Sequence, residues 1–386
     1  MRPSCCDLRS LLLQSSKKLF SFYLLKTFAL HSHADSRTII GEHNTNQKLL
    51  QAMATLFSQS EPESKLVGIA RLAAEGESIS QGHEVDYLTL ENRSLLTRCT
   101  SARVPFSWQI NPYRGCEFAC KYCYARYTHE FMEMRDSLDF ERKIYVKKHS
   151  AWLLRQELKQ VRTGQSISIG SATDPYQPAE RKFGVTRAIM EEFARHEGLS
   201  LGLVTKSDLI VRDIDLLREI SRKNRLSIHV TITTTDTNLA RILEPRAPRP
   251  DLRFKAVEKL VAAGIYTSVN CAPVLPGITD SPKALASVVR AAAAANAQSV
   301  AAIPLFLKPC SLKVFFPFLE ENFPHLVELY KTRYADRAFL PVEYTKRISA
   351  LVQRFCRESG IAARDRESRR ATNRPNLSPQ LNLFAQ

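Results

Sequence analysis

The sequence predicts an α/β protein, an open and partial (β/α)6 TIM-like barrel with a small C-terminal helical extension and disordered termini. Two observations carry this. From about residue 105 to 310, short β-branched or apolar runs alternate with longer amphipathic stretches, as in βα units that feed a parallel sheet. Polar or turn-forming residues gather after each of six such runs, where parallel barrels place their chemistry. A flat doubly wound sheet is the alternative, but no G-x-G-x-x-G string follows the first strand.

The strands are expected at 106–110, 166–169, 200–204, 227–233, 266–271 and 299–303. Between them, helical periodicity marks 150–161, 187–196, 213–223, 250–263 and 283–295. Right-handed crossovers would curl these units into an arc. The barrel is therefore assigned to 105–310, after a lead-in at 53–104 and before a helical module at 311–361. Residues 362–386 form a basic tail expected to be disordered. Residues 1–52 hold an apolar patch broken by Lys26; a secretory signal would need a cleaner apolar stretch, and a basic organellar presequence is a second possibility. The reading adopted is a non-native or disordered extension, with Met53 as the start.

Composition narrows the class. At 386 residues and 44% hydrophobic content the chain can bury a large core. No apolar run reaches the roughly 18 residues of a membrane span. Nine cysteines are too few and too uneven for a secreted disulfide scaffold, so a cytoplasmic protein is expected. The net charge of +16 suits a polyanion such as nucleic acid, although a generic basic surface would give the same number.

Three cysteines fall together in Asn111-Pro-Tyr-Arg-Gly-Cys116-Glu-Phe-Ala-Cys120-Lys-Tyr-Cys123-Tyr-Ala-Arg126. Three thiolates spaced x3 and x2 can hold three irons of a 4Fe-4S cluster and leave the fourth open for S-adenosylmethionine. Structural zinc would need a fourth ligand, and neither His129 nor Cys99 completes a zinc pattern.

This string, with Tyr122 before the last cysteine, resembles the radical S-adenosylmethionine superfamily. The wider likeness is to its spore photoproduct lyase-related branch. It continues through Thr173-Asp174-Pro175-Tyr176-Gln177-Pro178, Thr205-Lys206-Ser207 and Leu243-Glu244-Pro245-Arg246-Ala247-Pro248. The resemblance implies that Cys116, Cys120 and Cys123 ligate the cluster and that the Tyr122 backbone meets adenine. Thr173 and Asp174 would face the methionyl amine, Lys206 the methionyl carboxylate, Thr231 or Thr233 the ribose, and Val274 to Gly277 the adenosyl group. It also implies a hydrogen-donating cysteine after the second strand, where this chain has Ser171. Cys271 and Cys310 are the substitute donors considered.

The end of the chain, Gln380-Leu381-Asn382-Leu383-Phe384, resembles the peptide with which bacterial DNA-handling proteins bind the replication sliding clamp. The expected partners are thus a low-potential donor such as flavodoxin or ferredoxin, nucleic acid, and the clamp, with no membrane. The leading function is a radical enzyme acting on a nucleic acid lesion or modified nucleotide. Alternatives are radical modification of a protein, peptide or small metabolite, and a non-catalytic, metal-stabilised nucleic-acid-binding protein.

Overall fold

The computed structural model describes residues 66–364 apart from 83, 102 and 103. The expected extension at 1–52, the tail beyond 364 and the clamp-like residues Gln380, Leu381, Leu383 and Phe384 lie outside the described residues.

The strands are β1 (Ser78–Gly82), β2 (Val85–Leu90), β3 (Thr97–Arg98), β4 (Trp108–Ile110), β5 (Tyr113–Arg114) and β6 (Lys143–Lys147). They continue with β7 (Ser166–Ile169), β8 (Ser200–Thr205), β9 (Arg225–Thr231), β10 (Thr267–Val274), β11 (Ser299–Pro304) and β12 (Ala362–Ala363). The larger sheet has the order β12-β11-β10-β9-β8-β7-β4-β3. Six of its strands, β4 and β7 to β11, run parallel as the sequence predicts.

Between them lie α1 (Gly68–Ala74), α2 (Tyr127–Glu130), α3 (Asp139–Arg142), α4 (Ser150–Glu157), α5 (Ala179–Phe183), α6 (Val185–Ala194) and α7 (Ile214–Lys223). The later helices are α8 (Thr237–Leu243), α9 (Pro250–Ala262), α10 (Pro282–Ala294), α11 (Pro309–Asn322), α12 (Val327–Tyr334) and α13 (Val342–Glu358). Local chemistry sets several starts. Ser281 accepts the Ala284 N–H at 3.2 Å, Asp236 accepts those of Asn238 and Leu239, and Pro occupies the first turn of α9, α10 and α11.

Alternation along the strands sorts the side chains. Ile167, Ile169, Leu201, Leu203, Ile228, Val230, Val269 and Val300 join the main core against the helices. The residues between them on the other face are small or polar: Ser168, Gly202, Ser227, His229, Ser268 and Asn270.

Two features depart from the expected organisation. Helix α13 contributes Ile348, Val352, Phe355 and Cys356 to the barrel core, and β12 pairs with β11. The sixth βα unit is thus closed by chain beyond 310, and the boundary drawn there cuts through it. The lead-in is not a passive segment either. It supplies β1 and β2 to a second sheet, ordered β1-β2-β6-β5, which frames the cysteine loop.

Candidate active site

The cysteine loop leaves β5 at Gly115, whose φ is +84°. A Cβ there would stand 2.7 Å from the Lys143 carbonyl oxygen and 2.8 Å from that of Phe140, so only glycine fits. Gly115→Ala should destabilise the fold by about 2–3 kcal/mol and lower iron uptake on reconstitution. Thermal melts and iron analysis check both.

Distant parts of the chain then fix the loop. The Cys116 N–H donates to the Phe140 carbonyl at 2.9 Å, and that of Lys121 to the Leu243 carbonyl at 3.0 Å. Buried Arg126, ion-paired with Glu141, donates to the Cys120 carbonyl at 3.1 Å. The Ser311 hydroxyl holds the Cys123 carbonyl at 2.8 Å. Glu117 accepts the Tyr87 hydroxyl at 2.9 Å and the Ala179 N–H at 2.7 Å, while its own N–H meets Gln177 at 2.9 Å.

The thiols share a buried environment lined by Phe118, Tyr122, Phe140 and Leu275. Burial pushes Cys116 well above the usual thiol range, Cys120 up to about 12, and Cys123 up. The charges of Cys120 and Cys123 reach Cys116, while Lys206 draws Cys120 and Cys123 down. Among the described residues no three His, Cys, Asp or Glu converge on one ion position. A cubane asks instead for one thiolate at each of three corners, and a cation coordinated there offsets the cost of buried thiolates. The donor set fits such a cluster. His129 Nε2 bonds the Lys143 carbonyl at 3.1 Å, and burial between Phe140 and Tyr145 lowers its pKa to about 4.

The strand ends bring several expected residues to this loop, some with different work. Lys206 lies over the Tyr122 ring with Nζ 3.9 Å from Glu244. Thr233 donates to Glu244 at 2.7 Å and lies 3.2 Å from the Tyr122 hydroxyl, which also bonds Glu244. Thr231 is buried at the end of β9, its carbonyl accepting from Arg253 at 3.1 Å. The Thr173 hydroxyl donates to the Gly115 carbonyl at 2.6 Å and accepts from Gln177 at 2.9 Å, so it secures the loop. Asp174 accepts from the Thr205 hydroxyl at 2.7 Å and from the N–H groups of Lys206 and Tyr176 at 2.6 and 2.9 Å. Burial raises its pKa against these bonds; its carboxylate ties β7 to β8.

The Val274 side chain is fully buried in the main core. Cys271 is buried in the same core with its pKa raised to about 12, and its thiol lies 3.9 Å from the Thr233 carbonyl. Gly277 has φ +75°, and a Cβ there would meet the Leu326 side chain at 3.0 Å, so its close approach is to α12's lead-in. Cys310 does lie beside the loop, next to Ser311, and is buried. Ser171 holds Gln109 at 2.6 Å and accepts from Asn111 at 3.2 Å.

Glu244 was not expected as a site residue. It is buried, paired with buried Arg253 at 2.5 Å. Burial pushes its pKa up, but Arg253, Lys206 and the Tyr122 and Thr233 hydroxyls outweigh this and hold it at about 2. The Leu243–Pro248 string was the available signal. Its partners lie far off in sequence.

Three thiols lie on a loop at the end of the first parallel strand, with cations and a fixed carboxylate at the ends of the next. A model of the Radical SAM superfamily matches residues 110–288. An uncharacterized protein of Mycobacterium bovis is 32% identical over 285 residues, 74% of this chain and 84% of its own length. Another, from Methanocaldococcus jannaschii, is 27% identical over 60% of this chain and 82% of its own. Among solved structures, spore photoproduct lyase with bound AdoMet and dinucleoside spore photoproduct matches with TM-score 0.56 at 14% identity, over 82% of this chain and 92% of the lyase. The chain belongs to the radical SAM superfamily and is an enzyme. None of its described helices is long and apolar enough to cross a membrane.

Proposed function

We propose that this enzyme uses radical chemistry on a nucleic acid lesion or modified nucleotide. The observation that carries the reading is the buried three-thiol loop held at the carboxyl end of β4, where Cys116, Cys120 and Cys123 would hold the cluster. Cluster and S-adenosylmethionine, when bound, supply reductive carbon–sulfur cleavage and a 5′-deoxyadenosyl radical that takes hydrogen from a substrate. The chain's own residues bind and orient. Lys206 offers an ammonium group to the methionyl carboxylate, Thr231 a hydroxyl at the end of β9, and the apolar wall of Phe118, Leu275 and Leu305 excludes water.

Three observations support nucleic acid as the substrate class: the net charge of +16, the fold shared with spore photoproduct lyase, and the dinucleoside photoproduct bound by that protein. A thiol-dependent hydrogen return at Ser171 is disfavoured, because a hydroxyl O–H gives up a hydrogen atom far less readily than a thiol. Cys310, beside the cysteine loop, is the donor we assign. A flavodoxin- or ferredoxin-like carrier would deliver the electron, and residues 380–384 would tether the enzyme to the sliding clamp.

The test is anaerobic reduction of reconstituted enzyme with deuterated DNA or deuterated protein. Formation of 5′-deoxyadenosine carrying deuterium from DNA is expected. Label from protein alone overturns the substrate, and a colourless zinc protein without 5′-deoxyadenosine overturns the chemistry.

A further inference from the structure

Strand β5 places Arg114 opposite Tyr145 of β6, so Lys143 and Lys147 are its diagonal neighbours on the same face. Lys143 is paired with Asp139 at 3.1 Å. Lys147 is half-buried, and among the described residues no carboxylate lies within ion-pair distance of its ammonium. The carboxylate whose charge reaches it, Glu157, already accepts the Leu95 and Leu96 N–H groups at 2.9 and 2.7 Å. Burial and then the Arg114 charge lower the Lys147 pKa to about 7. Arg114 is itself half-buried. Its Nη1 makes a long bond to the Thr128 carbonyl at 3.4 Å, and its buried Nε has no partner. On its other side the Arg114 charge reaches the Tyr127 hydroxyl, and Lys308 Nζ lies 3.5 Å from the Tyr127 ring centroid. Among the described residues Lys308 also has no carboxylate within ion-pair distance.

Three cations thus stand in a row with no close counter-charge. Burying a cation costs stability unless a partner offsets it, and like charges on neighbouring strands repel. A neutral side chain at 147 would remove both costs, so packing does not account for the lysine. An incoming anion does. The three come from β5, β6 and the residue before α11, with Arg114 between the other two. A row of this kind suits successive phosphates of one strand better than a single small anion. The guanidinium supplies paired donors to a phosphate and each ammonium a point charge. The row also flanks the cysteine loop, since Arg114 precedes Cys116 by two residues and Tyr127 follows Cys123 by four.

We propose that Arg114, Lys147 and Lys308, arranged around Tyr127, bind the phosphodiester backbone of a nucleic acid strand and hold it alongside the cysteine loop. The proposal rests on the nucleic acid reading above and names the residues that grip the strand.

The test is fluorescence anisotropy of the full-length reconstituted enzyme with labelled single-stranded DNA oligonucleotides of unrelated sequence, over a series of salt concentrations. Lys147→Gln and Lys308→Gln should each lower the slope of log affinity against log salt by about 0.7, the share of one phosphate contact on a single strand. Each should weaken binding equally for all sequences, and the double variant should lose about twice as much slope. Without DNA, Lys147→Gln should melt at the same temperature as the wild type or higher, because it removes a buried charge that lacks a close partner. Unchanged slopes in both folded variants overturn the proposal, as does a loss confined to one sequence. A lower melting temperature for Lys147→Gln overturns it too, since the ammonium would then be serving the fold. So does a loss of flavodoxin-supported 5′-deoxyadenosine formation with DNA binding intact, which would make the row a dock for an acidic electron carrier. The nucleic acid reading fails separately, when deuterium reaches 5′-deoxyadenosine from protein alone whatever the salt slopes.

Discussion

Reconstituted under anaerobic conditions, Cys120→Ala should hold essentially no cluster, against about four irons in the unaltered chain. The side chain is buried and its backbone is fixed independently, through the Arg126 bond to the Cys120 carbonyl. Alanine removes the sulfur and leaves that frame in place, so the circular dichroism spectrum and melt of the apo-protein should change little. Formation of 5′-deoxyadenosine should fall to the level of an enzyme-free control. A variant that retains both iron and 5′-deoxyadenosine would remove Cys120 from the ligand set. The same logic predicts that an iron chelator under reducing conditions abolishes 5′-deoxyadenosine formation while the fold survives, since the barrel core of Ile167, Leu203, Ile228 and Val269 is separate from the loop's apolar cluster.

Glu244→Ala should destabilise the protein by about 3–5 kcal/mol, because it strands a buried guanidinium. Arg253 is 1% exposed and pairs with Glu244 at 2.5 Å; its remaining bonds, to the Pro248 and Thr231 carbonyls, are neutral. The loss should also free Lys206 and the Tyr122 hydroxyl, so S-adenosylmethionine binding should weaken along with stability. The pH dependence has a definite sign. Glu244 is held at about 2 in the fold, below the roughly 4.3 of an unfolded glutamate. A depressed carboxyl contributes its full stabilisation above the unfolded value and loses it as pH falls toward the folded one. Urea melts should therefore show a wide gap between the wild type and Glu244→Gln at pH 7 that narrows at pH 3. A constant gap would mean the carboxylate charge contributes nothing.

The six parallel strands were readable because each is apolar on the face that meets the helices, and because turn residues punctuate them. The cysteine loop was readable because its spacing is local. What escaped reading depends on contacts between distant segments. The second sheet pairs β2 with β6, Leu88 opposite Tyr145, and uses a two-residue β5 that carries no periodicity. Glu244 acquires its meaning from Lys206 on one side and Arg253 on the other. The placement of Val274 has a subtler cause. In an unbroken strand, residues three apart face opposite sides, but β10 shifts register between Cys271 and Val274. Both side chains end in the core.

The bond from Ser311 to the Cys123 carbonyl spans 188 residues. A ribosome that has delivered all three cysteines has thus supplied the ligands long before the segment that braces them emerges. Iron and sulfide should consequently be inserted after synthesis is nearly complete, and a fragment ending before α11 should stay iron-poor even beside a competent assembly machinery.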